Sequence, residues 1–336
     1  MIVVRAPMRI SFLGGGTDLA AFYKRSPGRV ISTTIDQYVH VVINRTPLIN
    51  KVAARYSVSE TVNHPKQLHN TRIKAALIDK EIFSGIEIAS FADLPSRTGL
   101  GSSSSFSVAL MKGLAAYQGK KLTKEETAEE AARLEIDLLH EPIGKQDQYA
   151  SSLGGFNIFQ FNQDGSVSIE PILLDFRKRI ALEEHLLLFF TGITRDASSI
   201  LTDQKANTEK DEMRFNTLKE MAYSVDEFSE KLLKGNFQGL GRMLHNGWVM
   251  KKSLTNKISS PFIDELYEMG LDAGAWGGKL LGAGGGGCIM FISPISTKDR
   301  IRKKMYKVAK KYAVADFQEL PIKFVQSGAE IQMNTQ

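Results

Sequence analysis

The chain has 336 residues, enough for one large or two ordinary domains, and its 43% hydrophobic and 24% charged residues are the balance of a soluble globular protein. No apolar run approaches the ~20 residues of a membrane span, and the leading MIVVRAPMRISFL, broken by Arg5 and Arg9 and followed by no small-residue cleavage site, does not read as a signal peptide. The net charge of +6 suits anionic ligands, the single Cys288 excludes an internal disulfide and points to a reducing cytoplasm, and the six histidines show no spacing for a transition metal.

Met1–Leu13 reads as one or two strands around Pro7. Gly14-Gly15-Gly16-Thr17-Asp18 breaks that pattern, and Thr17 or Asp18 can cap a short helix over Leu19–Lys24. Asp18 has a second reading as a carboxylate that accepts hydrogen bonds from ligand hydroxyls. Val30–Asn44 is strand-like, with Asp36-Gln37 expected as a hairpin turn, and residues 45–70 are polar and irregular. A helix is expected over Arg72–Ile78 and a strand over Ile82–Phe91.

Leu94–Leu110, LPSRTGLGSSSSFSVAL, passes from a Pro/Gly/Ser loop into a helix that runs to about Tyr117. Glycines let the backbone approach a ligand, and the unpaired N–H groups of a helix start, with serine hydroxyls beside them, make an anion cradle. A helix cap needs only one serine, and four follow Gly99-Leu100-Gly101. Thr123–His140 reads as an amphipathic helix opened by a Thr123/Glu126 capping box and ended by Pro142 and Gly144. The polar stretch Gly144–Ser151 follows, and then strands over Phe156–Phe161 and Val167–Leu174 joined by an Asp164-Gly165 turn.

A second unit begins near His185–Phe190 with a buried strand, followed by helices over Ala197–Asn207, Asp211–Lys234, Phe237–Lys252 and Pro261–Met269. Gly274–Lys279 and Gly282–Gly287 frame Leu280-Leu281, Cys288–Ile292 is an apolar strand, and Ile322–Val325 is the last strand. In Lys298–Lys311 the apolar Ile301, Met305 and Val308, with Tyr312 beyond, fall at helical spacing. The basic residues are then the wet face of a helix, not a nucleic-acid surface. Strands and helices mix without regular alternation, so the fold class is α+β.

Gly282–Gly287 formally matches G-x-G-x-x-G, but a dinucleotide site needs that loop between a strand and a helix, and here it precedes a strand. No Walker P-loop occurs. Three glycine-rich segments in order, RAPMRISFLGGGTD (Arg5–Asp18), PSRTGLGSSSS (Pro95–Ser105) and KLLGAGGGGC (Lys279–Cys288), resemble the three motifs of the GHMP family of small-molecule kinases.

The resemblance runs nearly end to end. It implies a two-domain fold: a ribosomal protein S5 domain 2-like N-terminal domain over residues 1–180, binding ATP and Mg²⁺, and a ferredoxin-like C-terminal domain over 181–336. It also implies ATP-dependent phosphoryl transfer to a small alcohol. By the same resemblance, Pro95, Gly99, Leu100, Gly101, Ser102, Ser103, Ser104 and Ser105 would hold the ATP phosphates. Ser103, or its neighbour Ser104, would ligate Mg²⁺ with Glu135. Asp147 would orient or accept the proton of the attacking hydroxyl, and Arg9 would keep it ionised or stabilise developing charge. Gly15, Gly16, Thr17, Asp18, Gly284 and Gly285 would face the acceptor. The ending G-G-G-T-D is similar to that of kinases acting on D-glycero-D-manno-heptose phosphates, whereas fucokinase domains carry a Trp in place of Gly16. This implies a heptose 7-phosphate acceptor phosphorylated at its anomeric hydroxyl, with an L-fucose or other hexose 1-kinase as the alternative. Arg5, Arg29, Arg72 and Lys145 are equal candidates for the acceptor's existing phosphate. A non-catalytic sugar or ATP sensor is the reading from another class. The partners implied are a sugar phosphate and ATP, not nucleic acid or membrane, and the oligomeric state stays open.

Overall fold

The structure is a computed structural model that describes residues 1–194 and 197–335. In chain order its elements are β1 (Ile2–Leu13), α1 (Ala20–Tyr23), β2 (Gly28–Arg45), β3 (Val52–Arg55), β4 (Ser59–Val62), α2 (Thr71–Asp79), β5 (Ile86–Ala92), α3 (Ser102–Tyr117) and α4 (Lys124–Ala132). A π-helical turn, Arg133–Leu138, extends α4. Then come α5 (Gln146–Leu153), β6 (Phe156–Phe161), β7 (Val167–Pro171), α6 (Phe176–His185), β8 (Leu186–Phe190), α7 (Ala197–Lys210), α8 (Glu212–Lys234), α9 (Phe237–Ser253) and α10 (Pro261–Asp272). The chain closes with β9 (Gly277–Leu280), β10 (Cys288–Ile292), α11 (Lys298–Lys311), β11 (Gln318–Glu319), β12 (Phe324–Val325) and β13 (Glu330–Asn334).

The spine is β2, 18 residues rich in β-branched side chains. It pairs antiparallel with β1 along its length, with β6 on its first half and with β5 on its second. The hairpin turn expected at Asp36-Gln37 does not form. Pro7 pairs with Tyr38 and Arg9 with Thr34, so β2 bulges over residues 35–37 opposite Met8. The bulge takes its backbone partners from the far end of the chain: the Asp36 N–H donates to Lys323 O at 2.9 Å, and β12 pairs with Ile35 and Thr34. β13 covers the outer edge of β1. The first sheet thus runs β13-β1-β2-β5-β3-β4, with β6, β7 and β12 attached through β2. The second, β11-β8-β10-β9, is antiparallel.

One apolar cluster joins the sheets. Phe12, Ile31 and Phe156 of the first meet Leu188, Met290 and Ile292 of the second, with Phe228, Leu232, Leu240 and Leu244 of α8 and α9 between them. A second cluster packs Val108, Leu110 and Leu114 of α3 against Val4, Val41 and Ile43. α3 therefore runs over β1 and β2, and its first turn points at the end of the molecule where the glycine loops gather.

Local signals explain much of this. Thr123 and Glu126 form the expected capping box. α11 buries Ile301, Met305, Val308 and Ala309 beneath its basic face, while Tyr312 lies past its end and stays largely exposed. Other expectations fail for physical reasons. Residues 45–70, read as irregular, hold the β3–β4 hairpin, whose short strands alternate too briefly to be seen. α6, capped by Asp175 and burying only Leu182, shows no apolar stripe. α1 starts at Leu19 with no side-chain cap, because Thr17 and Asp18 are occupied elsewhere. Among the described residues no helix is long and apolar enough to cross a membrane.

Candidate active site

A cleft of about 560 Å³ opens where the three glycine segments meet, walled by the first turn of α3, the start of α5, the loop after β1, the last turn of α9 and the turn after β9. Gly99 and Gly101 both adopt the left-handed conformation, at φ 78° and 77°, which glycine reaches without strain. Gly101 is the N-cap of α3, so no side chain caps that helix and its first-turn amides stay free toward the cleft. The expected serine cap is therefore absent. The positive end of a 16-residue helix and its open amides favour a bound anion.

Arg9 lies beneath this loop. Its Nε and Nη2 donate to the two carboxylate oxygens of Asp147 at 2.7 and 2.6 Å, and Nη1 donates to Gly99 O at 2.6 Å. The bulge that offsets β1 from β2 brackets Arg9, and Asp147 sits in the first turn of α5. A bidentate arginine fixes the position of a carboxylate. Arg9 is 4% exposed, whereas the Asp147 side chain keeps 21% exposure toward the cleft.

The π-helical turn after α4 carries Glu135 under the anion loop, fully buried. Ser107 Oγ (3.0 Å), Arg72 Nε (3.2 Å) and Ser103 Oγ (3.4 Å) all donate to its Oε1, and Gln148 Nε2 donates to Oε2. The Ser103 hydroxyl and Glu135 Oε1 form a pair of hard oxygen donors beside the helix N-terminus. That is the limited protein donor set Mg²⁺ takes when phosphate and water fill its other positions.

Asp18 faces the cleft from the other side. It accepts from Gly16 N–H (3.0 Å), Gln146 N–H (3.2 Å) and Gln146 Nε2 (3.2 Å), and no cation touches it among the described residues. Burial, then the nearby Asp147 charge, pushes its pKa up to about 6. Gln146 is held at both ends of its amide, since its Oε1 accepts from Ser11 Oγ at 3.0 Å.

The third glycine segment braces the second. A Cβ on Gly282 would lie 2.7 Å from the Gly99 Cα, and the Cys288 N–H donates to Thr98 O at 2.9 Å. Only glycine permits that approach.

Of the residues the sequence singled out, Arg9, Gly15, Gly16, Asp18, Gly99, Gly101, Ser102, Ser103, Ser104, Asp147 and Gly284 line the cleft. Five others lie outside its lining. Thr17 is buried and ties Gly14 O to Arg29, Leu100 is buried among apolar side chains, and Ser105 donates to Pro7 O at 2.9 Å. Pro95 is exposed, and Gly285 donates to Ile258 O at 2.8 Å. Glu135 stands behind the wall and reaches it through Ser103. Among the four basic candidates only Arg72 lines the cleft. Arg5 pairs with Glu330, Arg29 with Glu170 and Asp226, and Lys145 with Glu129. The sequence reading missed Lys251, Lys279, Gln146 and Gln204, which line it too. Lys279 stood inside a quoted motif, but Lys251 sits among ordinary helix residues and carries no local signal.

A glycine-opened helix N-terminus, linked through an arginine to a carboxylate in the same cleft, is an arrangement suited to phosphoryl transfer. Comparison with known proteins agrees. The family profile of the GHMP kinases N terminal domain matches residues 67–155, and that of the GHMP kinases C terminal domain matches residues 228–313. The chain belongs to the GHMP kinases. It is 28% identical to a D-glycero-alpha-D-manno-heptose 7-phosphate kinase of Campylobacter jejuni over 91% of this chain and 93% of that one. It is 26% identical to the L-fucokinase/L-fucose-1-P guanylyltransferase of Bacteroides fragilis over 86% of this chain and 34% of that one. The crystal structure of a D-glycero-D-manno-heptose 1-phosphate kinase from Bacteroides thetaiotaomicron superposes with a TM-score of 0.81 over all of both chains, at 23% identity. The protein is thus an ATP-dependent small-molecule kinase of mixed α+β fold.

Proposed function

We propose that the chain transfers the γ-phosphoryl group of ATP to the anomeric hydroxyl of a phosphorylated sugar, D-glycero-D-manno-heptose 7-phosphate, giving the 1,7-bisphosphate. The observation that carries this reading is the continuous hydrogen-bonded link from Gly99 of the anion loop through Arg9 to Asp147. It ties the phosphate-holding backbone to the group that meets the hydroxyl. The similarity to the Campylobacter kinase over nearly all of both chains supports the acceptor.

In this reading the amides of Gly101–Ser104 hold the ATP phosphates, and Asp18, with Gly15, Gly16 and Gly284 around it, holds the sugar hydroxyls. Asp147 takes the proton of the attacking hydroxyl, which at an anomeric carbon is more acidic than in an ordinary alcohol. Ser103, rather than Ser104, and Glu135 would ligate Mg²⁺, since the Ser103 hydroxyl is the one directed at Glu135. Bound there, Mg²⁺ neutralises phosphate charge. Residues 1–180 form the nucleotide half and 181–336 the second half, whose last strands return to the first sheet. A buried free thiol at Cys288 and the use of ATP suit the cytoplasm.

The test is an acceptor panel with ATP and Mg²⁺: heptose 7-phosphate, the free heptose, L-fucose and galactose, with the product read by ³¹P NMR. Heptose 7-phosphate is expected to show the highest kcat/KM and to gain an anomeric phosphate. A best turnover of L-fucose would replace this reading with the 1-kinase activity named for the Bacteroides fragilis relative. ATP binding without turnover of any acceptor would favour a sensor.

A further inference from the structure

Two lysines are buried in the cleft wall, each 5% exposed, and neither makes an ion pair among the described residues. Their chemistry differs. Lys279 Nζ donates to Ser11 O at 3.0 Å and Phe12 O at 2.8 Å, so it ties the end of β1 to β9. Lys251, in the last turn of α9, donates among the described residues to one carbonyl only, that of Gly282. Two of its three N–H bonds remain for a ligand.

The position of Lys251 is informative. Gly282, which holds it, backs onto Gly99 of the anion loop. The charges facing its ammonium are Arg9 from β1, Asp18 from the loop after β1, Asp147 from α5 and Lys279 from β9. Arg9 and Asp147 neutralise one another, which leaves Lys251 as a desolvated cation with no anion in contact among the described residues. Burial, then the Arg9 charge, lowers its pKa to about 8. A buried charge without a counter-ion is costly, and the missing partner is an anion at the junction of the loop and Asp147.

We propose that Lys251 is a catalytic residue that donates hydrogen bonds to the non-bridging oxygens of the phosphoryl group as it passes from donor to acceptor. This rests on the phosphoryl-transfer reading above. The acceptor oxygen forms its bond to the γ-phosphorus as the bond to the β-γ bridging oxygen breaks, and that oxygen leaves with ADP. The hydroxyl proton goes to Asp147, and Lys251 keeps its proton throughout. The geometry favours the group in transit over the acceptor's existing phosphate, because Lys251 hangs from the turn that braces the donor loop and faces both Asp147 and Arg9.

The test compares Lys251→Met and Lys251→Arg with wild type, using whichever acceptors the wild type turns over, phosphorylated and unphosphorylated. Lys251→Met should lower kcat about 10²–10³-fold on every acceptor, with KM values changed less than about threefold, and Lys251→Arg should stay within about tenfold of wild type. In wild type, kcat/KM should fall above pH about 8, and in Lys251→Arg that fall should disappear up to pH about 10. The Arg variant's pH profile keeps the test decisive if the Met variant does not fold. A loss confined to phosphorylated acceptors, or an unchanged kcat, overturns the proposal. Wild-type failure on heptose 7-phosphate with turnover of another alcohol overturns only the choice of acceptor.

Discussion

Asp147 and Asp18 are the same residue type in one cleft, and the chain treats them oppositely. Asp147 receives two hydrogen bonds from a buried guanidinium. Asp18 receives three from neutral N–H groups, makes no ion pair among the described residues, and is pushed further from ionisation by the nearby Asp147 charge. The first is fixed in place by the arginine. The second is a costly buried acceptor, and in the proposed reading sugar hydroxyls would supply the hydrogen bonds that water cannot. Two carboxylates given different surroundings take different chemical roles.

The largest expected effect breaks the first half of this contrast. Asp147→Asn keeps the shape but removes the proton acceptor, and kcat should fall about 10²–10⁴-fold while the acceptor's KM changes little. A variant that kept its kcat would show that proton transfer does not run through this residue. The next effect breaks the second half. Asp18→Asn should act on acceptor binding, lowering kcat/KM about 10–150-fold, mostly through KM, with the KM for ATP unchanged. A loss in kcat alone would place Asp18 with the base.

The smallest effect sharpens the contrast by pH. The folded-state pKa of Asp18, about 6, lies above the 3.8 of an ordinary aspartate, so the native state binds the proton more tightly than the unfolded one. Stability tied to this group is therefore present below pH 3.8 and lost as pH rises through 6. Between pH 4 and 7 the unfolding free energy of wild type should fall relative to Asp18→Asn by about 2–3 kcal/mol. Urea titrations at several pH values measure it, and a flat difference would mean the site is wetter than the structure shows.

Features written in a few consecutive residues were legible before the structure. The Thr123/Glu126 box, the apolar stripe of α11 and the turn from glycines into α3 each follow from local chemistry, and Arg9, Asp18 and Asp147 do converge on one cleft. What escaped depends on distant chain. Asp36-Gln37 looks like a turn because nothing nearby reveals that residues 323–325 supply its pairing. Lys251 looks like a solvated helix lysine because the turn that holds it lies some thirty residues later. Four serines at a helix start favour a serine cap, yet a glycine sits there.

The contact between Gly99 and Gly282 also has a consequence in time. The Gly99 loop emerges from the ribosome long before the turn that braces it, and β12 and β13, which complete the first sheet, emerge later still. At synthesis rates of about 5–20 residues per second, that delay is on the order of ten seconds or more. A nascent chain stopped near residue 180 has its glycine loop without a backing and β1 without its outer neighbour. The loop and the first sheet are therefore complete only once the second half of the chain has been made.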